Sequence, residues 1–158
     1  MLIIKTYLIF SMLAIIWFDV RHYIIPNWLV SSLLALYPLA VWMAKIQVDW
    51  PMALVGMLIV FAIGCVVFAR KWMGAGDIKL LTVCSLWTGF HVLLEFVFLV
   101  AILGGVLSLV LWVGRKILLA SGKFSAAKLP RILREGEPVP YGVAISIGFL
   151  ILIFSEKI

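Results

Sequence analysis

Residues 50–69 read WPMALVGMLIVFAIGCVVFA, twenty consecutive positions without a charge. A helix needs about 20 apolar residues to cross the hydrocarbon core of a bilayer. This stretch is therefore predicted to be a transmembrane helix, with Asp49 and Pro51 in a short turn at its start. Working outward, charges cut the rest of the chain into similar intervals. Met1–Phe18 carries one charge, Lys5, and His22–Ala44 carries none. Leu80–Leu94 gives fifteen uncharged positions, Phe96–Gly114 nineteen and Pro138–Ser155 eighteen. The reading is an all-α polytopic membrane protein of about six spans, the fourth unusually short.

Composition agrees. Of the 158 residues, 66% are apolar and 13% charged, against roughly 45–50% and about 25% in soluble domains. Mean hydropathy is +1.24. These values exclude soluble globules, disordered chains, collagen-like repeats and disulfide-stapled secreted folds. The first span is read as retained: it lacks a basic leader region and a small-residue cleavage site, and another span follows at once. Residues 1–158 form one membrane-embedded domain in this reading, with no internal repeat.

The excess of thirteen Lys and Arg over seven Asp and Glu gives a formal charge of +6. In a membrane protein such an excess marks loops retained in the cytoplasm. The first, third and fifth connections between spans hold ten basic residues; the other side, with both termini, holds Lys5, Lys45 and Lys157. The odd connections are thus assigned to the cytoplasm and both termini to the outside. The long connection from Arg115 to Glu137 is read as a positively charged loop lying partly along the headgroups. No basic run is interleaved with aromatics, so nucleic acid is not an expected partner. Cys65 and Cys84 form no CxxC pair and are read as apolar fillers. Neither a metal nor a cofactor is expected.

Sorting the acids exposes a candidate site. Asp49, Glu95, Glu135, Glu137 and Glu156 fall in turns, the basic loop or the tail, with Glu95 at the outer turn between spans four and five. Asp19, at the end of span one, and Asp77, at the start of span four, lie on the same side of the membrane. Ionisable groups at span ends are rare and mark function. If helices one and four are neighbours, the two carboxylates share one proton, the ionised member acting as base towards water. The plain alternative for Asp77 is a helix cap. Two glycines precede it in Gly74-Ala75-Gly76-Asp77-Ile78-Lys79, where they let the backbone approach a substrate closely. Downstream of Asp19, Pro26 and Asn27 mark the turn that starts span two.

With these motifs in order, the chain resembles the bacterial type IV prepilin peptidases, membrane aspartic proteases of the GxGD class. The resemblance rests on Asp19 followed by Ile25-Pro26-Asn27, on Gly74-x-Gly76-Asp77-x-Lys79, and on Pro140-Tyr141-Gly142-Val143-Ala144 opening the last span. It implies that Asp19 and Asp77 are catalytic, and that the substrate is a prepilin or pseudopilin with a short basic leader. Cleavage would fall before a long apolar helix, often after Gly, at the cytoplasmic face of the bacterial inner membrane. Larger members carry an N-terminal methyltransferase region with two CxxC pairs, absent here, so the chain is similar to the short peptidase-only members of Flp (tight adherence) pilus systems. Lys79 either orients a carboxylate or substrate, or merely snorkels from a span end. Arg21 and His22 are read as interfacial and His91 as structural. The competing class is a small proton- or cation-coupled transporter using Asp19 and Asp77, which lacks the expected inverted repeat.

Overall fold

The computed structural model describes residues 2–44, 49–120 and 139–156. Among these the regular structure is helical throughout, as the composition leads one to expect. The elements are α1 (Leu2–His22), α2 (Asn27–Ala44), α3 (Trp50–Ala69), α4 (Ala75–Ala120) and α5 (Tyr141–Phe154). Three of them are long and apolar enough to cross a membrane, and the segments Asn27–Met43 and Tyr141–Phe154 are shorter apolar helices. Phe10, Leu58, Ile63, Phe98 and Phe154 are each more than half exposed on the outside of the bundle. Contiguous apolar exposure of this kind suits lipid, not water. The architecture is that of a polytopic membrane protein.

Local sequence explains the boundaries. Asp49 caps α3, its Oδ1 accepting the Met52 N–H at 3.4 Å, and Pro51 occupies the first turn, where a missing N–H costs nothing. In α2 the Leu29 N–H donates to the Pro26 carbonyl at 3.1 Å, so the Pro26-Asn27 turn does start the second helix.

The 46 residues of α4 conceal two helices. Gly89 has φ 67° and ψ 173°, a backbone state outside the helical region that glycine adopts without Cβ strain. A straight helix would put Gly104 about 40 Å from Asp77, at 1.5 Å per residue. Yet Gly104 packs against Tyr141, which lines the same cleft as Asp77. The chain must fold back at Gly89. Residues 75–88 run along α3, with Ile78 against Gly64 and Phe90 against Gly56 near the turn, and the returning limb packs on α5 from Phe96, against Phe149, to Gly104, against Tyr141. The fourth span is short, as read from the charges, but its turn is not at Glu95. That residue sits exposed inside the returning limb: an acid is tolerated on a helix flank, whereas only glycine readily makes the bend. Likewise Arg115 to Ala120 are helical and continue α4, while residues 121–137 of the expected loop lie outside the described residues.

The core lies between α1, α2, α4 and α5. Leu8, Met12 and Ile15 of α1 meet Leu29 and Leu33 of α2, Leu80 and Cys84 of α4, and Ile145 and Phe149 of α5. Phe96 and Phe149 stack edge to face at 6.1 Å between centroids. Cys84 fills space there as expected, but Cys65 is exposed. Helix α3 packs on α4 through Ala53, Gly56, Val60 and Gly64. Small residues let membrane helices approach closely when burial from water supplies no driving force. A Cβ on Gly64 would lie 2.6 Å from Cγ2 of Ile78. Gly64→Leu is therefore expected to push the helices apart and cost about 1–3 kcal/mol, the usual range for overpacking. Thermal unfolding in detergent reads this; an unchanged midpoint would contradict the close crossing.

Candidate active site

Helix periodicity aims Asp19 inward. In α1 the buried positions are Leu8, Ser11, Met12, Ile15 and Asp19, a stripe at three- and four-residue spacing. The acid thus continues the core face of its helix and is only 4% exposed. Past it the chain turns: Tyr23 takes a positive φ of 55° and its N–H returns to the Asp19 carbonyl at 3.0 Å.

Asp77 sits in the first turn of α4. Its Oδ2 accepts the Gly74 N–H at 3.3 Å, and the Ile78 N–H donates to the Gly74 carbonyl at 3.2 Å. This is the returning half of a capping box, in which an acid in the first turn satisfies the amide just before the helix. The capping role anticipated for Asp77 is real, and it coexists with a place in the cleft. Gly74 matters for the same reason: a Cβ there would lie 3.0 Å from Oδ2 of Asp77.

The two acids meet at the N-terminus of α5. Pro140, which precedes that helix, offers no side-chain cap. Asp19 supplies one from 124 residues away, its Oδ2 accepting the Val143 N–H at 3.2 Å. The Gly142 amide lies within reach of both carboxylates, and the two acids are close enough for their charges to interact. A carboxylate at a helix N-terminus gains from the unpaired amides and from the helix dipole. Gly142 has no room for a side chain, since a Cβ would approach Oδ2 of Asp19 to 2.6 Å.

Around the acids opens a cleft of about 1020 Å³. Asp19, Asp77, Asn27, Lys79, Gly74 and Gly76 all line it, so each residue singled out from the two upstream motifs except Pro26 reaches the cleft wall. Pro26 instead shapes the turn through its carbonyl. Lys79 contacts neither acid as its hydrogen-bond partner; its Nζ donates to Oδ1 of Asn27 at 3.3 Å. The Arg21 guanidinium lies over Trp17 at 4.2 Å and His22 lies beside Phe18, and both Arg21 and His22 are exposed. His91 is exposed beyond the Gly89 turn. Among the described residues no group of three His, Cys, Asp or Glu side chains is placed to hold a metal.

Sequence reasoning missed the apolar wall formed by Ile24, Phe68, Trp72 and Met73, and the wedge made by Ile25. Ile25 is buried, and its side chain fills the space beside both Gly76 and Gly142. A helix opened by Pro-Tyr-Gly with no polar cap was the available signal that a cap comes from elsewhere.

An apolar helical bundle with two carboxylates paired in a cleft at one end defines a membrane protein with an acid-pair site. The model of the type IV leader peptidase family matches residues 6–109, about two thirds of the chain, and the protein belongs to that family. No curated protein and no solved structure matches the chain. Membership identifies a membrane peptidase of the prepilin-processing kind. Both acids fall inside the matched region; α5, which binds Asp19, lies beyond it.

Proposed function

We propose that the protein is an aspartic endopeptidase in which Asp19 and Asp77 activate water to remove the leader of a type IV prepilin or pseudopilin. The observation that carries this reading is the convergence of both carboxylates, from α1 and α4, on the first-turn amides of α5 inside one cleft. Backbone N–H groups, Val143 for Asp19 and Gly74 for Asp77, donate hydrogen bonds that orient each carboxylate, as a water-activating pair requires. The ionised acid takes a proton from water as the water oxygen bonds to the scissile carbonyl carbon. The protonated acid gives its proton to the carbonyl oxygen. The tetrahedral diol then collapses: the C–N bond breaks as the departing nitrogen takes the proton gained by the first acid. The second acid, now ionised, takes back a proton from a diol hydroxyl, restoring the starting pair. The apolar wall of Phe68, Trp72 and Met73 suits the helix that follows the cleavage point in such substrates. Co-expression with a Flp-type prepilin tests the reading: a shift of the pilin to its mature size is expected, and an unprocessed pilin beside a well-expressed enzyme argues against it.

The same proposal sets the cleft at the cytoplasmic face of the bacterial inner membrane, with both termini outside. The support is the charge asymmetry, together with the fact that Arg70, Lys71 and Lys79 lie at the cleft end of the bundle. In a Cys65→Ala background, an impermeant maleimide should label Asp49→Cys on intact spheroplasts, and Trp72→Cys only after permeabilisation. The reverse pattern would invert the orientation.

A further inference from the structure

Two short chain segments carry the acids, and one hydrogen bond ties those segments together. Asn27 follows Asp19 by eight residues, Lys79 follows Asp77 by two, and Nζ of Lys79 donates to Oδ1 of Asn27 at 3.3 Å. The bond joins the start of α2 to the first turns of α4. Beside it, Ile25 wedges against Gly76, whose added Cβ would lie 3.3 Å from Cβ of Ile25, and against Gly142 at 2.9 Å. The connection 23–27 is thus held to α4 by an apolar contact on one side and a polar one on the other. Residues two apart on a helix point about 200° away from each other. Lys79 thus leaves α4 in a different direction from Asp77, and its Nζ is directed to Asn27.

We infer that Asn27 and Lys79 are a positioning pair, which fixes the separation of the two carboxylates and takes no part in binding substrate or moving protons. This rests on the proposed peptidase reading. Both side chains are exposed to the cleft, so the bond between them contributes little to the fold itself. Its effect should appear in the geometry of the pair, where small displacements are costly to the rate.

Purified enzyme and a prepilin peptide test it through steady-state kinetics. Asn27→Ala and Lys79→Met should each lower kcat about tenfold with KM changed less than twofold. The double variant should be no worse than either single one, because the two side chains act through one contact. Asn27→Asp and Lys79→Arg, which keep an acceptor and a donor, should recover most of the rate. Amide exchange over residues 23–30 should quicken several-fold in Lys79→Met, a measurement that needs no activity. Losses that multiply in the double variant, a rise in KM carrying the effect, or unchanged exchange would each overturn the pair. Asp77→Asn in the same assay addresses the peptidase reading separately. If it retains activity, that reading falls, and the exchange measurement still decides whether the contact orders the segment.

Discussion

Asp19→Asn and Asp77→Asn are each expected to reduce leader removal by about a thousandfold or more, with membrane insertion and protein level unchanged. General acid–base catalysis by a positioned side chain contributes about 10²–10⁴-fold, and in the proposed mechanism each acid is half of the machinery. Asparagine keeps the size and can still accept the Val143 or Gly74 amide, so the fold persists while the proton transfer is lost. The double variant should lose little more than either single one, since groups acting as a unit are strongly non-additive. Asp49→Asn, at the α3 cap, and Glu95→Gln, on the returning limb of α4, lie away from the cleft and serve as controls. Leader removal by Asp77→Asn at a third of the wild-type rate, or a dead Glu95→Gln, would refute the paired-acid assignment.

Asp19 was legible because it closes the apolar run of span one on the same side of the membrane as the start of span four, and Asp77 because two glycines announce it. Both signals are local. Their meeting at the first turn of α5 is tertiary: the Val143 amide reaches Asp19 across 124 positions, and no spacing rule reveals it. Lys79 shows the same limit: a lysine at a span end reads as a snorkelling cation until Asn27, 52 positions earlier, appears beside it. The α4 turn was misplaced for a different reason. Counting charges finds where a span is forbidden to continue, whereas the chain reverses where the backbone is able to, and Gly89 precedes Glu95 by six residues.

Gly142→Ala is expected to reduce the rate about a hundredfold or more. The new methyl carbon would stand 2.6 Å from Oδ2 and 3.0 Å from Cγ of Asp19, and 2.9 Å from Cδ1 of Ile25. Carbon does not tolerate such distances, so either α5 retreats or the carboxylate swings away. A misplacement of about 1 Å in a catalytic group is enough for a hundredfold loss. Gly105→Ala, where a Cβ would meet nothing within 4 Å, should cleave like wild type. Rates of leader removal at matched expression decide the matter; Gly142→Ala within tenfold of wild type would mean that the α5 N-terminus does not set the position of Asp19.

The trans cap on Asp19 also imposes an order on biogenesis. A ribosome making about 5–20 residues per second needs roughly 6–25 s to travel the 124 positions from Asp19 to Val143. During that interval Asp19 lacks the Val143 amide that later holds it. The nascent chain therefore carries both carboxylates well before it carries the helix that caps the first of them, and that contact is completed from the C-terminal side.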